Sequence, residues 1–164
     1  MPEHVGDPRD PPANDARHRV VVIGSGFGGL FAAKALRGAP VRVTMVDRTN
    51  HHLFQPLLYQ VATGILSEGQ IAPPSREVFR RYRSMEIVMG EVTEVDAAAH
   101  EVRLNEFGVP AAISYDSLIV AAGAVTSYFG NEKFRENSSS LKSLRDALDL
   151  RERIFAAFER AEVE

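Results

Sequence analysis

The sequence contains no cysteine among its 164 residues. This absence excludes disulfide bonds, thiolate metal sites and a cysteine nucleophile. The longest run without a polar residue is about LIVAAGAV, far shorter than the roughly 18 apolar residues that cross a bilayer, so no transmembrane helix is predicted. Nor is there an excess of positive charge: the net charge is -3, which gives no basic field for nucleic acid or an anionic membrane surface.

The composition is typical of a soluble globular chain of about one domain, with 45% apolar and 25% charged residues. Residues 1–18 hold four prolines and mixed charges. They lack the apolar core of a signal peptide and the basic, acid-poor character of a transit peptide. We therefore predict a disordered tail over residues 1–18 and a cytoplasmic location.

Two β-branched runs, residues 19–23 and 41–46, flank an alanine- and leucine-rich segment that ends near Gly38. This order predicts a strand, a helix and a parallel strand in a right-handed βαβ unit. Residues 50–69 lack clear periodicity and are interpreted as an ordered connection. Ser75 is predicted to cap a helix over residues 76–84.

The second half of the chain alternates short apolar segments with turns. An antiparallel β-meander is predicted from residues 86–97, 100–106 and 109–115. A buried strand over residues 116–125 and a helix from residue 139 onward follow. The predicted fold class is therefore α/β, a parallel sheet with a three-stranded antiparallel meander.

A glycine-rich turn joins the first strand to the first helix. Gly24, Gly26 and Gly29 form GxGxxG, and Asp47 follows 18 residues after Gly29, at the end of the next predicted strand. In a dinucleotide site, the three glycines permit the sharp turn, the approach of the pyrophosphate and close helix packing. Free amides at the helix N-terminus hold the phosphates, while Asp47 accepts ribose hydroxyls and repels a 2′-phosphate. A plain turn with a surface aspartate is the alternative.

The βαβ unit alone does not distinguish FAD from NAD, because both contain ADP. Residues 114–125, SYDSLIVAAGAV, resemble the second signature of two-dinucleotide flavoproteins, with Ala121, Ala122 and Gly123 where Ala-Thr-Gly is commoner. Several further segments resemble the N-terminal part of type II NADH dehydrogenases, the single-polypeptide NADH:quinone oxidoreductases. These segments are NHHLFQPLLYQVATG, HRVVVIGSGFGGLFAAKAL, GEVTEVD and SLKSLRDALDLRERIF. This resemblance covers about residues 18–164. It implies a Rossmann-like FAD-binding domain.

The resemblance also implies which residues contact FAD. The glycine loop would line the pyrophosphate, Asp47 and Arg48 the adenosine, and Val92 the adenine, while Ala122 and Gly123 would run along the cofactor. Gln55 and Pro56 would pass the isoalloxazine. The implied cofactor-binding residues are Gly24, Ser25, Gly26, Phe27, Gly28, Gly29, Asp47, Arg48, Gln55, Pro56, Val92, Ala122 and Gly123.

No catalytic acid or base and no metal site is predicted. Flavin carries the chemistry of such enzymes, and the adjacent His51 and His52 cannot easily share one ion, so packing or surface roles are expected for both. In the complete enzyme, NADH would reduce FAD, and reduced FAD would pass electrons to a quinone.

No second GxGxxG follows Gly29. We therefore expect an incomplete FAD domain over residues 19–130, then a linker and helix over residues 131–164 leading toward an absent NADH domain. Such a chain would bind FAD weakly or not at all and would not oxidise NADH. The complete enzyme would lie peripherally on the inner face of the cell membrane through absent C-terminal parts, as a monomer or homodimer. A ferredoxin-reductase-like flavoprotein and a non-catalytic dinucleotide-binding module are the alternatives.

Overall fold

The computed structural model describes residues 16–82 and 84–163. The predicted tail over residues 1–18 lies largely outside this range, although residue 18 already belongs to the first strand. The strands are β1 His18–Ile23, β2 Val41–Asp47, β3 Met85–Met89, β4 Glu91–Asp96, β5 Glu101–Glu106, β6 Val109–Ser114 and β7 Ser117–Val120. The helices are α1 Phe27–Leu36, α2 Leu58–Ala62, α3 Glu68–Ile71, α4 Ser75–Val78, α5 Glu132–Glu136 and α6 Leu144–Val163, with a 3-10 turn over Gln55–Leu57.

Four parallel strands form the central sheet in the order β3-β2-β1-β7. β1 pairs with β2 from His18 opposite Val41, and with β7 from Val20 opposite Ser117. The predicted βαβ unit is therefore confirmed. β2 and β3 lie on one side of β1, and β7 lies on the other side. The order in which strands are added to the sheet therefore reverses at β1.

The three-stranded meander β4-β5-β6 is antiparallel and forms a separate sheet, as predicted. The prediction of one strand over residues 86–97 is wrong, because the chain divides at Gly90 into β3 of the parallel sheet and β4 of the meander. A Cβ at Gly90 would lie 2.8 Å from Leu104 Cδ1. The lack of a side chain at Gly90 thus allows the backbone to pass close to Leu104 where it connects β3 of the parallel sheet to β4 of the meander.

The parallel sheet is covered on both faces, and alternate residues of β1 point to opposite sides. Val21 and Ile23 pack with residues of the meander, whereas Val20 and Val22 pack with α1. This alternation follows the two-residue period of a strand. Each fully buried valine of this kind contributes about 1.5–3 kcal/mol of hydrophobic stabilisation, so the strand is held from both sides.

β7 is attached to β1 by a polar contact at its start. Arg19 N donates to Asp116 Oδ2 at 2.7 Å, and Arg19 Nη2 donates to Asp116 Oδ1 at 2.8 Å. The hydrogen bonds from Arg19 hold the pKa of Asp116 well below its usual range. The prediction of a buried strand here is wrong, because Val120 is 67% exposed and β7 is an edge of the sheet in the described part of the chain.

A smaller apolar cluster joins the connection after β2 to the last helix. Residues of α2 and α3 pack against Ala147 of α6, which is fully buried. Residues 50–69 are thus ordered, as expected, and contain short helices.

Farther along α6, Phe155 and Phe158 are 44% and 69% exposed. No helix within residues 16–82 and 84–163 has the length and hydropathy needed to cross a membrane.

The prediction that Ser75 caps a helix over residues 76–84 is wrong. Ser75 is the first residue of α4, Pro74 precedes it, and the helix ends at Val78. Beyond it, Phe79 is buried against the parallel sheet and packs edge-on to Tyr82. Burial of Phe79 in a turn outweighs the helical preference of this segment.

Candidate functional site

The carboxyl ends of the parallel strands meet at one edge of the sheet. Ala121 N, after β7, donates to Ile23 O at 2.8 Å, and Gly90 N, after β3, donates to Asp47 O at 2.8 Å. The glycine loop follows β1 between these two connections. Open α/β sheets bind ligands in the crevice at such an edge, where the strand order reverses.

Two glycines of the loop are required by close packing. Gly24 has φ +101°, and a Cβ there would lie 2.3 Å from Ala121 O. At Gly29 a Cβ would lie 1.9 Å from Gly24 O. A side chain at either position is therefore incompatible with this backbone, and both glycines match the structural tasks predicted for them.

Gly26 differs, since a Cβ there would meet no heavy atom within 4 Å. Its φ of -68° is accessible to any residue. The first helical hydrogen bond runs from Leu30 N to Gly26 O at 2.9 Å, so the preceding amides of the first turn have no intrahelical acceptor. Open space at Gly26 and first-turn amides of α1 that have no protein acceptor among the described residues are the features that a bound phosphate requires.

The Asp47 carboxylate is bound on both oxygens by protein groups. Oδ2 accepts hydrogen bonds from Ser25 N at 2.6 Å and Ser25 Oγ at 2.8 Å, and Oδ1 accepts from Thr49 N at 2.7 Å and Thr49 Oγ1 at 2.8 Å. Burial raises the pKa of Asp47, but these hydrogen bonds outweigh burial, so the pKa lies below its ordinary value of 3.8. A carboxylate has about four acceptor positions. Ser25 and Thr49 therefore occupy the acceptor positions of Asp47 in this structure, and a ribose hydroxyl would have to replace one of these four donors.

Ser25 is held from the other side by His52. His52 Nδ1 lies 2.7 Å from Ser25 O, and both residues are buried. The His52 ring packs edge-on to Phe27, which also packs on Phe54. Sequence reasoning missed this contact, because the two residues lie 27 positions apart and no periodic pattern links them.

Thr49 was also missed, although a signal exists for it. An aspartate whose carboxylate accepts the backbone N–H two residues later forms an Asx-turn, and Asp-Arg-Thr at the end of β2 is compatible with that geometry.

The remaining predicted residues lie around the same edge, most of them exposed. Arg48 is exposed beside Asp47, and Ala122 and Gly123 are exposed after β7. Gly28 lies close to Ala121, since a Cβ on Gly28 would lie 3.1 Å from Ala121 Cβ. Val92 is partly buried at the start of β4. Gln55 and Pro56 are exposed in the 3-10 turn that follows Phe54, and Gln55 Nε2 donates to Lys142 O at 3.2 Å.

His51 and His52 make different contacts in the structure. In the part of the chain that the structure describes, no group of three or more His, Cys, Asp or Glu side chains could hold a metal ion. His51 contacts Pro74 through an isolated backbone bridge, whereas the ring of His52 points to the glycine loop. The two adjacent histidines therefore have different surroundings.

The family model of pyridine nucleotide-disulphide oxidoreductases matches residues 18–158. The chain belongs to this family. Its glycine loop, Asp47 and β7 all lie inside the matched region. The family takes its name in part from disulfide chemistry, but with no cysteine this member supplies no redox thiol from these 164 residues.

Two curated family members from Mycobacterium tuberculosis are similar to the chain. Type II NADH:quinone oxidoreductase Ndh is 58% identical over 146 residues, which is 89% of this chain and 32% of Ndh. Type II NADH:quinone oxidoreductase NdhA is 54% identical over 154 residues, 94% of this chain and 33% of NdhA. The chain thus spans about a third of the length of these relatives, and the predicted resemblance to type II enzymes is confirmed.

A solved structure of NDH2 from Plasmodium falciparum has the same fold. It superposes with a TM-score of 0.80 at 23% identity, covering 89% of this chain and 30% of NDH2. The predicted fold class, a Rossmann-type parallel sheet with an antiparallel meander, is therefore confirmed.

Proposed function

We propose that this chain forms the FAD-binding part of an NADH:quinone oxidoreductase. The observation that carries the proposal is the glycine loop at the carboxyl edge of the sheet, with open space at Gly26 and amides at the start of α1 that have no protein acceptor among the described residues. The resemblance of residues 114–125 to the second signature of two-dinucleotide flavoproteins, in a chain similar to Ndh and NdhA, supports FAD over NAD as the nucleotide at this loop.

The residues at this edge fit a dinucleotide. Gly26 and the first-turn amides would hold the pyrophosphate, while Asp47, with Arg48 beside it, would face the adenosine ribose. The backbone at Val92 would face the adenine. Ala122 and Gly123 would border the cofactor from the β7 side, and Gln55 and Pro56 would lie toward its flavin end. The remaining members of the proposed set are Gly24, Ser25, Phe27, Gly28 and Gly29.

Bound FAD supplies hydride acceptance from NADH and two-electron transfer to a quinone. The side chains at this edge bind and orient the cofactor, and the proposal assigns no acid, base or nucleophile to them. Asp47 keeps a negative charge at the ribose, because its pKa lies below the ordinary value. That charge disfavours a nucleotide with a 2′-phosphate.

Three further parts of the proposal rest on the resemblance to the enzyme family. Residues 19–130 would be the first part of the FAD domain, and residues 131–164 would lead toward an NADH domain. The complete enzyme would contact the inner face of the cell membrane through segments outside this chain. It would act on NADH and a quinone, as a monomer or a homodimer.

Titration of the ¹⁵N-labelled 164-residue chain with FAD and with ADP tests the binding site. NMR detects weak complexes, which is the strength expected of this chain alone. We expect both ligands to shift the amide signals of the loop, residues 24–29, and of Asp47. The matched control is ADP carrying a 2′-phosphate, which should bind at least about tenfold more weakly because of the Asp47 charge.

Absence of loop shifts at millimolar FAD would contradict the proposed binding site. Recovery of stoichiometric flavin together with NADH oxidation by the 164-residue chain would contradict the proposal that it is only a part of the catalytic unit. The coding sequence directly after Glu164 tests that same point, since a second strand-GxGxxG-helix unit there supports it. Quinone-dependent oxidation by a protein containing both units distinguishes this enzyme from a ferredoxin-reductase-like one.

A further inference from the structure

His52 carries a buried ring nitrogen whose hydrogen-bond role is determined by its partner. Nδ1 lies 2.7 Å from the backbone oxygen of Ser25, and a carbonyl oxygen only accepts hydrogen bonds. Nδ1 must therefore carry a proton and donate it. His52 is 6% exposed, so water does not readily replace this donor.

The hydrogen bond from His52 determines the direction of a second group, the amide of Gly26. The carbonyl of Ser25 and the N–H of Gly26 belong to one planar trans peptide, in which they point in opposite directions. Because Ser25 O faces His52, Gly26 N–H faces away from the connection after β2. Among the described residues, no protein acceptor is found for this N–H, and a Cβ on Gly26 would enter open space.

Because position 26 is glycine, the orientation of the Ser25–Gly26 peptide needs a restraint such as the hydrogen bond from His52. A peptide that precedes glycine can rotate between two orientations at low cost, because glycine populates positive and negative φ about equally. Asp47 fixes Ser25 N and Oγ, but neither contact restrains the carbonyl on the other side of the residue. His52 supplies that restraint, and its own position is fixed by His52 N donating to Pro73 O at 3.0 Å and by edge-on packing with Phe27.

We propose that His52 is a positioning residue that orients the Ser25–Gly26 peptide so that Gly26 N–H donates to the pyrophosphate of the bound dinucleotide. The proposal rests on the proposed function, and it adds a residue outside the glycine motif to the anion-binding site. His52 acts through Ser25 and does not itself touch the ligand. Within residues 16–82 and 84–163, His51 makes no such contact with the loop, so it serves as a matched control.

The test compares four forms of the 164-residue chain: wild type, His52→Asn, His52→Gln and His51→Asn. An asparagine amide nitrogen reaches about the position of Nδ1, whereas the glutamine amide extends beyond it. Dissociation constants for ADP and FAD are measured by NMR titration, and thermal unfolding is measured without ligand. We expect His52→Gln to weaken binding about fivefold or more, the size of one hydrogen bond, and His52→Asn and His51→Asn to stay within about twofold of wild type.

Two readouts do not depend on ligand affinity. Long-range ¹H–¹⁵N spectra should show the His52 ring protonated at Nδ1, and Gly26 N–H should exchange rapidly with solvent in the free chain and slowly once ADP is bound. An Nε2–H tautomer with bare Nδ1 overturns the proposal, as does wild-type affinity in a folded His52→Gln variant. If His52→Gln does not fold, the wild-type chain decides: slower exchange of Gly26 N–H once ADP is bound, with the His52 ring protonated at Nδ1, supports the proposal, and a Gly26 N–H that exchanges equally fast with and without ADP overturns it.

Failure of the proposed function is separable from failure of this inference. A wild-type chain that binds neither ADP nor FAD contradicts the function and removes the ligand for Gly26 N–H. Binding with equal protection of Gly26 in wild type and in His52→Gln leaves the function intact and contradicts the role of His52 alone.

Discussion

Asp47 and Ser25 are joined by two hydrogen bonds to one carboxylate oxygen, at 2.6 Å from the backbone N–H and 2.8 Å from the hydroxyl. The contact ties the end of β2 to the loop after β1, across 22 positions of sequence. The aspartate that is proposed to face a ribose therefore also shapes the loop that is proposed to hold the phosphates. Loss of its charge should affect both stability and binding.

Replacing Asp47 by asparagine should lower the free energy of unfolding by about 1–2 kcal/mol at pH 7, after allowance for solvent screening of a partly exposed group. The side-chain nitrogen of asparagine cannot accept the hydrogen bonds that one oxygen of the carboxylate accepts from Ser25 or Thr49. Because the folded-state pKa of Asp47 lies below 3.8, its stabilisation is complete above the unfolded-state pKa and is lost as the pH falls through the folded-state value. Urea denaturation of both proteins between pH 7 and pH 2 measures the difference.

The control for this variant is Asp149→Asn, since Asp149 is an exposed partner of Arg145 on α6. It should unfold like wild type at every pH. A difference between wild type and Asp47→Asn that persists unchanged below pH 3 would show that the carboxylate charge is not what stabilises the loop.

Two buried serines should respond differently to loss of the hydroxyl. Ser75 Oγ is buried with no hydrogen-bond partner among the described residues, so Ser75→Ala should leave stability unchanged or raise it by up to about 1 kcal/mol. Ser25 is equally buried, but its hydroxyl donates to Asp47, so Ser25→Ala should destabilise by about 1–2 kcal/mol. Thermal or urea unfolding of the pair measures this, and a destabilised Ser75→Ala would indicate a partner such as a buried water.

Local sequence signals predicted the parts of the fold that short patterns encode. Two β-branched runs around an alanine-rich helix were enough for the βαβ unit, because strand and helix periods are visible in a few residues. The spacing of Gly24, Gly26 and Gly29 likewise predicted the loop at the edge of the sheet. Asp47 was correctly expected at the end of β2, since its position follows from the length of that run.

Contacts between distant segments could not be predicted in this way. The division at Gly90 depends on Leu104, which lies in β5, and burial of Phe79 against the sheet overrides the helical preference of its segment. His52 reaches Ser25 only because the connection after β2 folds back over the loop. Such long-range contacts depend on how the whole domain packs, and they cannot be predicted from composition or from local sequence patterns.

The start of α6 offers a test of a local signal that the sequence does contain. Ser143 N donates to Asp146 Oδ2 at 2.9 Å, and Asp146 N donates to Ser143 Oγ at 3.1 Å. This reciprocal pair is a capping box with aspartate in the third helical position. Ser143→Ala should cost about 1 kcal/mol of unfolding free energy, whereas exposed Ser114→Ala at the end of β6 should cost little. Equal effects of the two changes in urea denaturation would refute a capping role.

Alanine substitutions at Gly26 and Gly29 should separate binding from folding. At Gly29 a Cβ would lie 1.9 Å from Gly24 O, so Gly29→Ala must displace the loop or α1 and should destabilise the chain by about 2 kcal/mol or more. At Gly26 a Cβ meets no protein atom and φ is already negative, so Gly26→Ala should unfold at the wild-type temperature or slightly above it. The added methyl group would occupy the space proposed for the pyrophosphate, and ADP and FAD affinity should fall at least about tenfold. Thermal unfolding and NMR titration of both variants test this. If Gly26→Ala keeps wild-type affinity, the pyrophosphate does not approach the loop at Gly26.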